Sequence, residues 1–358
     1  MVTSFIGLAN VLLDGLRRAA AVALHRVQTR ATAGMVAVAF TAVGLTSTAT
    51  FAQTSPASAP ATKAATIRAV VTVPALKSIV EPLLPPGSEL RVLMQPGRSE
   101  HGYEFTPSDL AAVAGADLVV YVGLNLEPRV EQTVAKPVEG RTVICFAKVA
   151  GLQRSGQPIP NTPEALGHDH HHEHDASCDH EHDEKWVDQH LWLDPMLMAK
   201  LVGPVRGAIE ETLQAKSQLT TEEQQRQGAA QAALLARIQG VDDQWKASVK
   251  GFKHTTIVTH HAAFSRLADR YGLTIVSVIR TIEGSEPTPG DLAKVLEAIE
   301  KHKVRAIFVE PQFNPKAAER LARQAKIGVG QLDPMGDGDW FALMQRNLDS
   351  LTTHLKGE

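Results

Sequence analysis

The chain has 358 residues, of which 44% are hydrophobic, 5% aromatic and 21% charged, with a formal net charge of −3. That length suits two domains or one large one with ample material for buried cores. The slightly acidic balance leaves no basic footprint for a nucleic-acid partner.

The first 52 residues differ from the rest. Arg17, Arg18, Arg26 and Arg30 precede the apolar run "MVAVAFTAVGL" at 35–45, and "TSTATFAQ" follows, with Ala52 as a small-residue cleavage point. A positive region, a short apolar region and a small-residue site are the order of a secretory signal. The apolar run is about half the ~20 residues a spanning helix needs, so the competing reading, an uncleaved membrane anchor, is the weaker one. The stretch before the apolar run is long for a signal, which points to a start downstream of Met1. Removing 1–52, with four Arg and one Asp, would take away a charge of +3 and leave −6. Residues 53–65 then read as a flexible tether, carried by "TSPASAPATKAA". No Cys follows the apolar run, which argues against lipid attachment, so the expected product is soluble and periplasmic.

From residue 66, strand-like and helix-like segments alternate. "IRAVVTV" (67–73), "LRVLM" (90–94), "DLVVYVG" (117–123) and "TVICFA" (142–147) are short apolar runs bounded by breakers. "ALKSIVEPLL" and "TPSDLAAVAGA" between them have helical spacing. A second set of strands follows in "TTIVTH", "LTIVSVI", "VRAIFVE" and "IGVGQL", separated by the helical "AAFSRLADRYG", "PGDLAKVLEAIEKHK" and "PKAAERLARQA". This predicts an α/β fold of two lobes, 66–190 and 251–358, each a mostly parallel sheet covered by helices. Residues 191–250 join them. Asp194-Pro195 supplies an N-cap and a first-turn proline for a helix to about residue 216, and Thr220 with Glu223 has capping-box spacing for a second one to Val249. At 1.5 Å per residue that second helix is roughly 40 Å long, enough to strut two lobes; two shorter helices on one lobe are the alternative.

Just before this linker lies "HDHHHEHDASCDHEHDE" (168–184), holding His168, His170, His171, His172, His174, His180 and His182 among seven acids. Such a tract has no apolar surface to bury and is expected not to order by itself. It reads as a weak, multi-site zinc collector, as a sensor of metal supply, or as a tolerated loop. Its Cys178 and the strand residue Cys145 are the only cysteines, and whether they pair is left open.

In open α/β sheets ligands bind beyond the C-terminal strand ends. His101 follows the strand at 90–94, His260 and His261 follow "TTIVT", Asp333 follows "GVGQL", and His190 precedes the helix at Pro195. Three imidazoles with a carboxylate or water suit Zn²⁺. The ligands are dispersed over the chain, which excludes a zinc finger.

In this arrangement the chain resembles the zinc-binding periplasmic component of bacterial ABC metal-uptake transporters, a group that also holds manganese binders. "SEHGYEFTPSDL", "ADLVVYVGLNLE", "HLWLDP", "HHAAFSRLADRYGL", "EPTPGDL", "AIFVEPQFNP" and "LDPMG" are similar to successive family motifs, in order, over roughly 66–358. The resemblance implies a metal site in the cleft between the lobes, with His101, His190 and His261 as ligands. His260 is the rival of His261 by one position, and Ala262 stands where the family usually has an acid. Manganese-type relatives tend to have Glu at the position of His261, so the imidazole implies zinc. Glu100, Asp333 or water is implied as the fourth ligand. The expected function is capture of Zn²⁺ for delivery to the membrane permease of an ABC transporter, by a monomer without catalytic activity. A zinc-dependent hydrolase using the same His trio, and a manganese receptor or adhesin on the same fold, are the alternatives. No H-E-x-x-H helix supports the hydrolase, and Glu100 is its best candidate for a general base.

Overall fold

The structure, a computed structural model, describes residues 65–152, 188–280 and 287–357. The proposed signal (1–52), most of the tether and the tract at 168–184 with Cys178 lie outside the described residues.

Among the described residues, eight short strands form two parallel sheets of four. The first holds β1 (Arg68–Val71), β2 (Glu89–Val92), β3 (Leu118–Tyr121) and β4 (Thr142–Cys145), in the order β2-β1-β3-β4. The second holds β5 (Thr256–Thr259), β6 (Thr274–Val278), β7 (Ala306–Val309) and β8 (Gly328–Gln331), in the equivalent order β6-β5-β7-β8. β3 and β7 are apolar at every position and buried throughout, as interior strands covered on both faces must be. The fold expected from the sequence is the fold observed, with two topologically equivalent α/β lobes.

The helices of the first lobe are α1 (Lys77–Val80), α2 (Pro107–Gly115), α3 (Pro128–Val134) and α4 (Phe146–Ala150). The segment "ALKSIVEPLL", read as one helix, is α1 between two 3₁₀ turns, because Pro82 has no N–H to continue the α ladder. α4 begins inside the run read as strand 142–147, so β4 ends two residues early, at Cys145. α5 (Pro195–Ala215) and α6 (Thr221–Val249) link the lobes, and α7 (Ser265–Tyr271), α8 (Pro289–His302), α9 (Lys316–Ala325) and α10 (Trp340–Leu355) belong to the second. α2 and α8 hold the same place in each lobe and start the same way. Thr106 and Thr288 each form a full capping box with the Asp three residues on, followed by a proline in the first turn. Thr220 caps α6 through Glu223 N–H, but Glu223 turns its carboxylate to Arg226 and Gln227 and completes no box.

α6 has 29 residues, about 43 Å of helix, and holds both lobes. Near its start Arg226 donates to the carbonyls of Leu83 and Leu84. Near its end Trp245 stacks on Tyr271 of α7, and Asp242 accepts the Tyr271 hydroxyl. One apolar core runs from β1 and β3 through α5 and α6 to β5 and α10, and a smaller one lies between β7, α8 and α9. Two buried indoles stitch the lobes: Trp192 Nε1 donates to Pro334 O, and Trp340 Nε1 donates to Trp192 O. Cys145 has no disulfide partner among the described residues. No described helix is long and apolar enough to cross a membrane.

Candidate metal centre

Both sheets turn their C-terminal strand ends to one site. Glu100 and His101 lie in the loop after β2, which turns through Gly102 at φ 65°, a left-handed position that glycine takes without strain. His190 precedes the 3₁₀ turn Leu191–Leu193, whose end leads into the Asp194 cap of α5. His261 lies two residues after β5. Ligand atoms of Glu100, His101, His190 and His261 all lie within 4.8 Å of one another. The three imidazoles meet edge to face in a triangle, with ring centroids 5.1, 5.5 and 5.2 Å apart. Glu100 Oε1 is the hub, 2.6 Å from His190 Nε2, 3.5 Å from His261 Nε2 and 3.8 Å from His101 Nε2.

Two observations fit this group to a small cation. The Nε2 atoms of His190 and His261 are 3.4 Å apart, and two nitrogens bound to one tetrahedral zinc stand about 3.3 Å apart. Glu100 Oε2 is buried without a hydrogen-bond partner, a state that bound charge would relieve.

Two carboxylates that the sequence reading did not pick out orient the rings. Asp188 Oδ1 accepts the Nδ1–H of His190 at 2.8 Å and its backbone N–H at 2.9 Å; Arg266 of α7 donates its backbone N–H to Asp188 Oδ2 and its guanidinium to the Asp188 carbonyl. Glu310, the residue after β7, accepts from His261 Nδ1. A partner on the distal ring nitrogen fixes the tautomer and aims the other nitrogen into the site. Burial pulls the His190 pKa down, but hydrogen bonds to Asp188 and Glu100 outweigh it and raise it to about 9. For His261, burial is likewise overcome by the Glu310 charge and hydrogen bonds to both carboxylates, which hold it well above the usual value. Burial would raise Glu100, but His190 and His261 hold it well below the ordinary carboxylate range. His101 goes the other way: burial, then the charge of His190, take it down to about 3. Without metal, these shifts favour protons on His190 and His261 beside the buried carboxylates.

The remaining expected residues fall elsewhere. Asp333 Oδ1 accepts the N–H groups of Met335 and Gly336 and closes a turn; it is not among the clustered donors. His260 faces Glu310 and the Phe313 ring, away from Glu100. The strand-end rule that found His261 applies equally to Glu310, since β5 and β7 are hydrogen-bonded neighbours at the point where the strand order reverses. Outside the site, Glu127 is fully buried and accepts from Thr72 Oγ1 and the N–H groups of Val122 and Gly123. Burial raises its pKa to about 7 against those bonds. It ties the end of β1 to the β3–α3 loop, whose Leu124 carbonyl accepts from Gln189 beside His190.

Residues 69–354 match the family ZnuA, "Zinc-uptake complex component A periplasmic". The chain belongs to this family. It is 26% identical over 288 residues to the zinc-binding protein AdcA of Streptococcus pyogenes serotype M3, covering 75% of this chain and 53% of AdcA. The chain thus spans about half the length of the AdcA relatives it matches. It is 28% identical over 288 residues to the high-affinity zinc uptake system protein ZnuA of Haemophilus influenzae, covering 69% of this chain and 79% of that one. A crystal structure of ZnuA superposes with a TM-score of 0.61 at 21% identity, covering 82% of this chain and 99% of that chain. That likeness shows the shared two-lobed fold.

Proposed function

We propose that this family member captures Zn²⁺ outside the cytoplasm with Glu100, His101, His190 and His261, and hands it to the membrane permease of an ABC transporter. The observation that carries the reading is the convergence of three imidazoles and a buried, half-partnered carboxylate from both lobes on one small volume. The donor set supports zinc, since imidazole suits Zn²⁺ better than Ca²⁺ or Mg²⁺. The names of the AdcA and ZnuA relatives support the same cargo. The hydrolase alternative needs a base beside an open coordination position, but Glu100, its best candidate, is itself one of the four clustered donors. Export with removal of 1–52, a monomeric receptor, and auxiliary weak zinc binding by the seven His of 168–184 complete the proposal.

The test is metal analysis of protein purified without metal-affinity steps, with zinc and manganese titrations of variants. His261→Glu should weaken zinc strongly and improve manganese relative to zinc, whereas His260→Ala should leave tight binding in place. Loss of the tight event in His260→Ala with His261→Ala silent would put the site one residue away.

A further inference from the structure

His261 has a carboxylate at each ring nitrogen. Its Nε2 lies 3.5 Å from Glu100 Oε1 and 3.4 Å from His190 Nε2, inside the cluster described above. Its Nδ1 points the opposite way, to Glu310 Oε1. On that far side stands a second imidazole. His260 Nδ1 is 3.5 Å from the same Glu310 oxygen, and it is buried without a hydrogen-bond partner. The His260 ring is held against Phe313, centroids 4.4 Å apart, and Phe313 carries the Arg280 guanidinium on its ring. Glu310 Oε2 accepts from Gln312 Nε2 at 2.8 Å. His260 and Glu310 are 5% and 1% exposed, and donor atoms of His260, His261 and Glu310 lie within 4.8 Å of one another.

A buried ring nitrogen whose contact to a carboxylate oxygen is this long is under-satisfied, which leaves it open to a ligand. Two imidazole nitrogens and a carboxylate oxygen are a zinc-type donor set. We propose that His260 Nδ1, His261 Nδ1 and Glu310 form a second seat for Zn²⁺, which shares His261 with the first seat and alternates with it. The proposal rests on the reading that the chain binds zinc. Sharing makes the seats exclusive, because a neutral imidazole offers one lone pair and carries a proton on its other nitrogen. With the ion on Nε2, Nδ1–H donates to Glu310. With the ion on Nδ1, Nε2–H donates to Glu100. Both tautomers are satisfied by a carboxylate already in place, so the ring need not rotate. In passing from one seat to the other, His261 loses one proton at Nδ1 and gains one at Nε2, and its proton count is unchanged. The two ion positions stand about 6 Å apart across the ring, from Zn–N bonds of about 2.0–2.1 Å on each side.

The experiment is zinc-edge anomalous diffraction from the full chain crystallised with one equivalent of zinc. Wild type should show its cleft ion at the Glu100 side of His261, and so should His260→Ala. In His101→Ala/His190→Ala the first seat keeps only Glu100 and His261, and the peak should move to the Glu310 side of the ring. Adding His260→Ala should abolish the moved peak. His101→Ala/His190→Gln, which keeps bulk and an N–H toward Asp188, serves if the alanine variant does not fold. A peak that stays beside Glu100, or no ordered zinc at His260 in either folded double variant, overturns the second seat. Wild-type crystals with no zinc at the Glu100 side would overturn the first reading instead.

Discussion

Zinc should displace at least about one proton when it binds at pH 7.5. His190, with its pKa raised to about 9, is protonated in roughly 97% of metal-free molecules at that pH, whereas an ordinary imidazole near 6.5 is protonated in about 10%. His261, held well above the ordinary value, adds to that release, and His101, near 3, gives none. Zinc needs a neutral ring, so a raised pKa in the metal-free state opposes binding below that pKa and the opposition fades as pH rises through it. With at least about one proton displaced, affinity should climb at least about tenfold per pH unit from pH 7, and the His190 contribution should begin to flatten near 9. Calorimetric titration in buffers of different ionisation enthalpy reads the number directly, as the slope of observed heat against buffer enthalpy for the first equivalent of zinc. Three unperturbed imidazoles would release only about 0.3 proton at pH 7.5. A slope near that figure would refute the claim that Asp188, Glu100 and Glu310 hold protons in the empty site.

Asp188→Ala removes the leading hydrogen bond that outweighs burial at His190, so the same calorimetric slope should fall by up to about one proton. Deleting His168–Glu184 should abolish weaker zinc uptake, which sets in only above about pH 6 where ordinary imidazoles are neutral, and leave the tight event nearly unchanged in a calorimetric titration. Gly330→Ala should cost about 1–3 kcal/mol in denaturant unfolding, since an added Cβ would stand 2.6 Å from Phe308 Cε1 and 2.8 Å from His354 Cδ2. Gly207→Ala, on α5 with nothing within 4 Å, should instead gain up to about 1 kcal/mol in the same assay.

The strands were legible because interior parallel strands are short Val- and Ile-rich runs, and seven of the eight described strands lie within the runs read from sequence, while β2 starts one residue earlier, at Glu89. The capped helices α2, α5 and α8 were legible from Thr-Pro or Asp-Pro starts. α3 and α4 were not, since seven and five residues are too few for a helical period to emerge. α10 had a signal, Asp339 as N-cap before "WFALMQRNLDSL", which went unused. Of the site, His101, His190 and His261 could be singled out from sequence, and their ring nitrogens lie together with Glu100. The carboxylates divide less predictably, because an Asp in a turn satisfies its own backbone as readily as it faces a cleft. Asp333 does the first and Asp188 does both, and no local pattern separates them.

The paired indoles have a mechanical consequence. A receptor that works as a jaw needs a seam along which its halves part. Here the line between the sheets is crossed by a continuous apolar core, by a helix of 29 residues gripped at both ends, and by Trp192 and Trp340 reaching into opposite sides of it. Wide opening would strand two indole N–H groups and wet the interior around them. The molecule is therefore a bracket, and any difference between its loaded and empty forms is left to the loops at the mouth, around Glu100 and His101, where one imidazole is only half-buried.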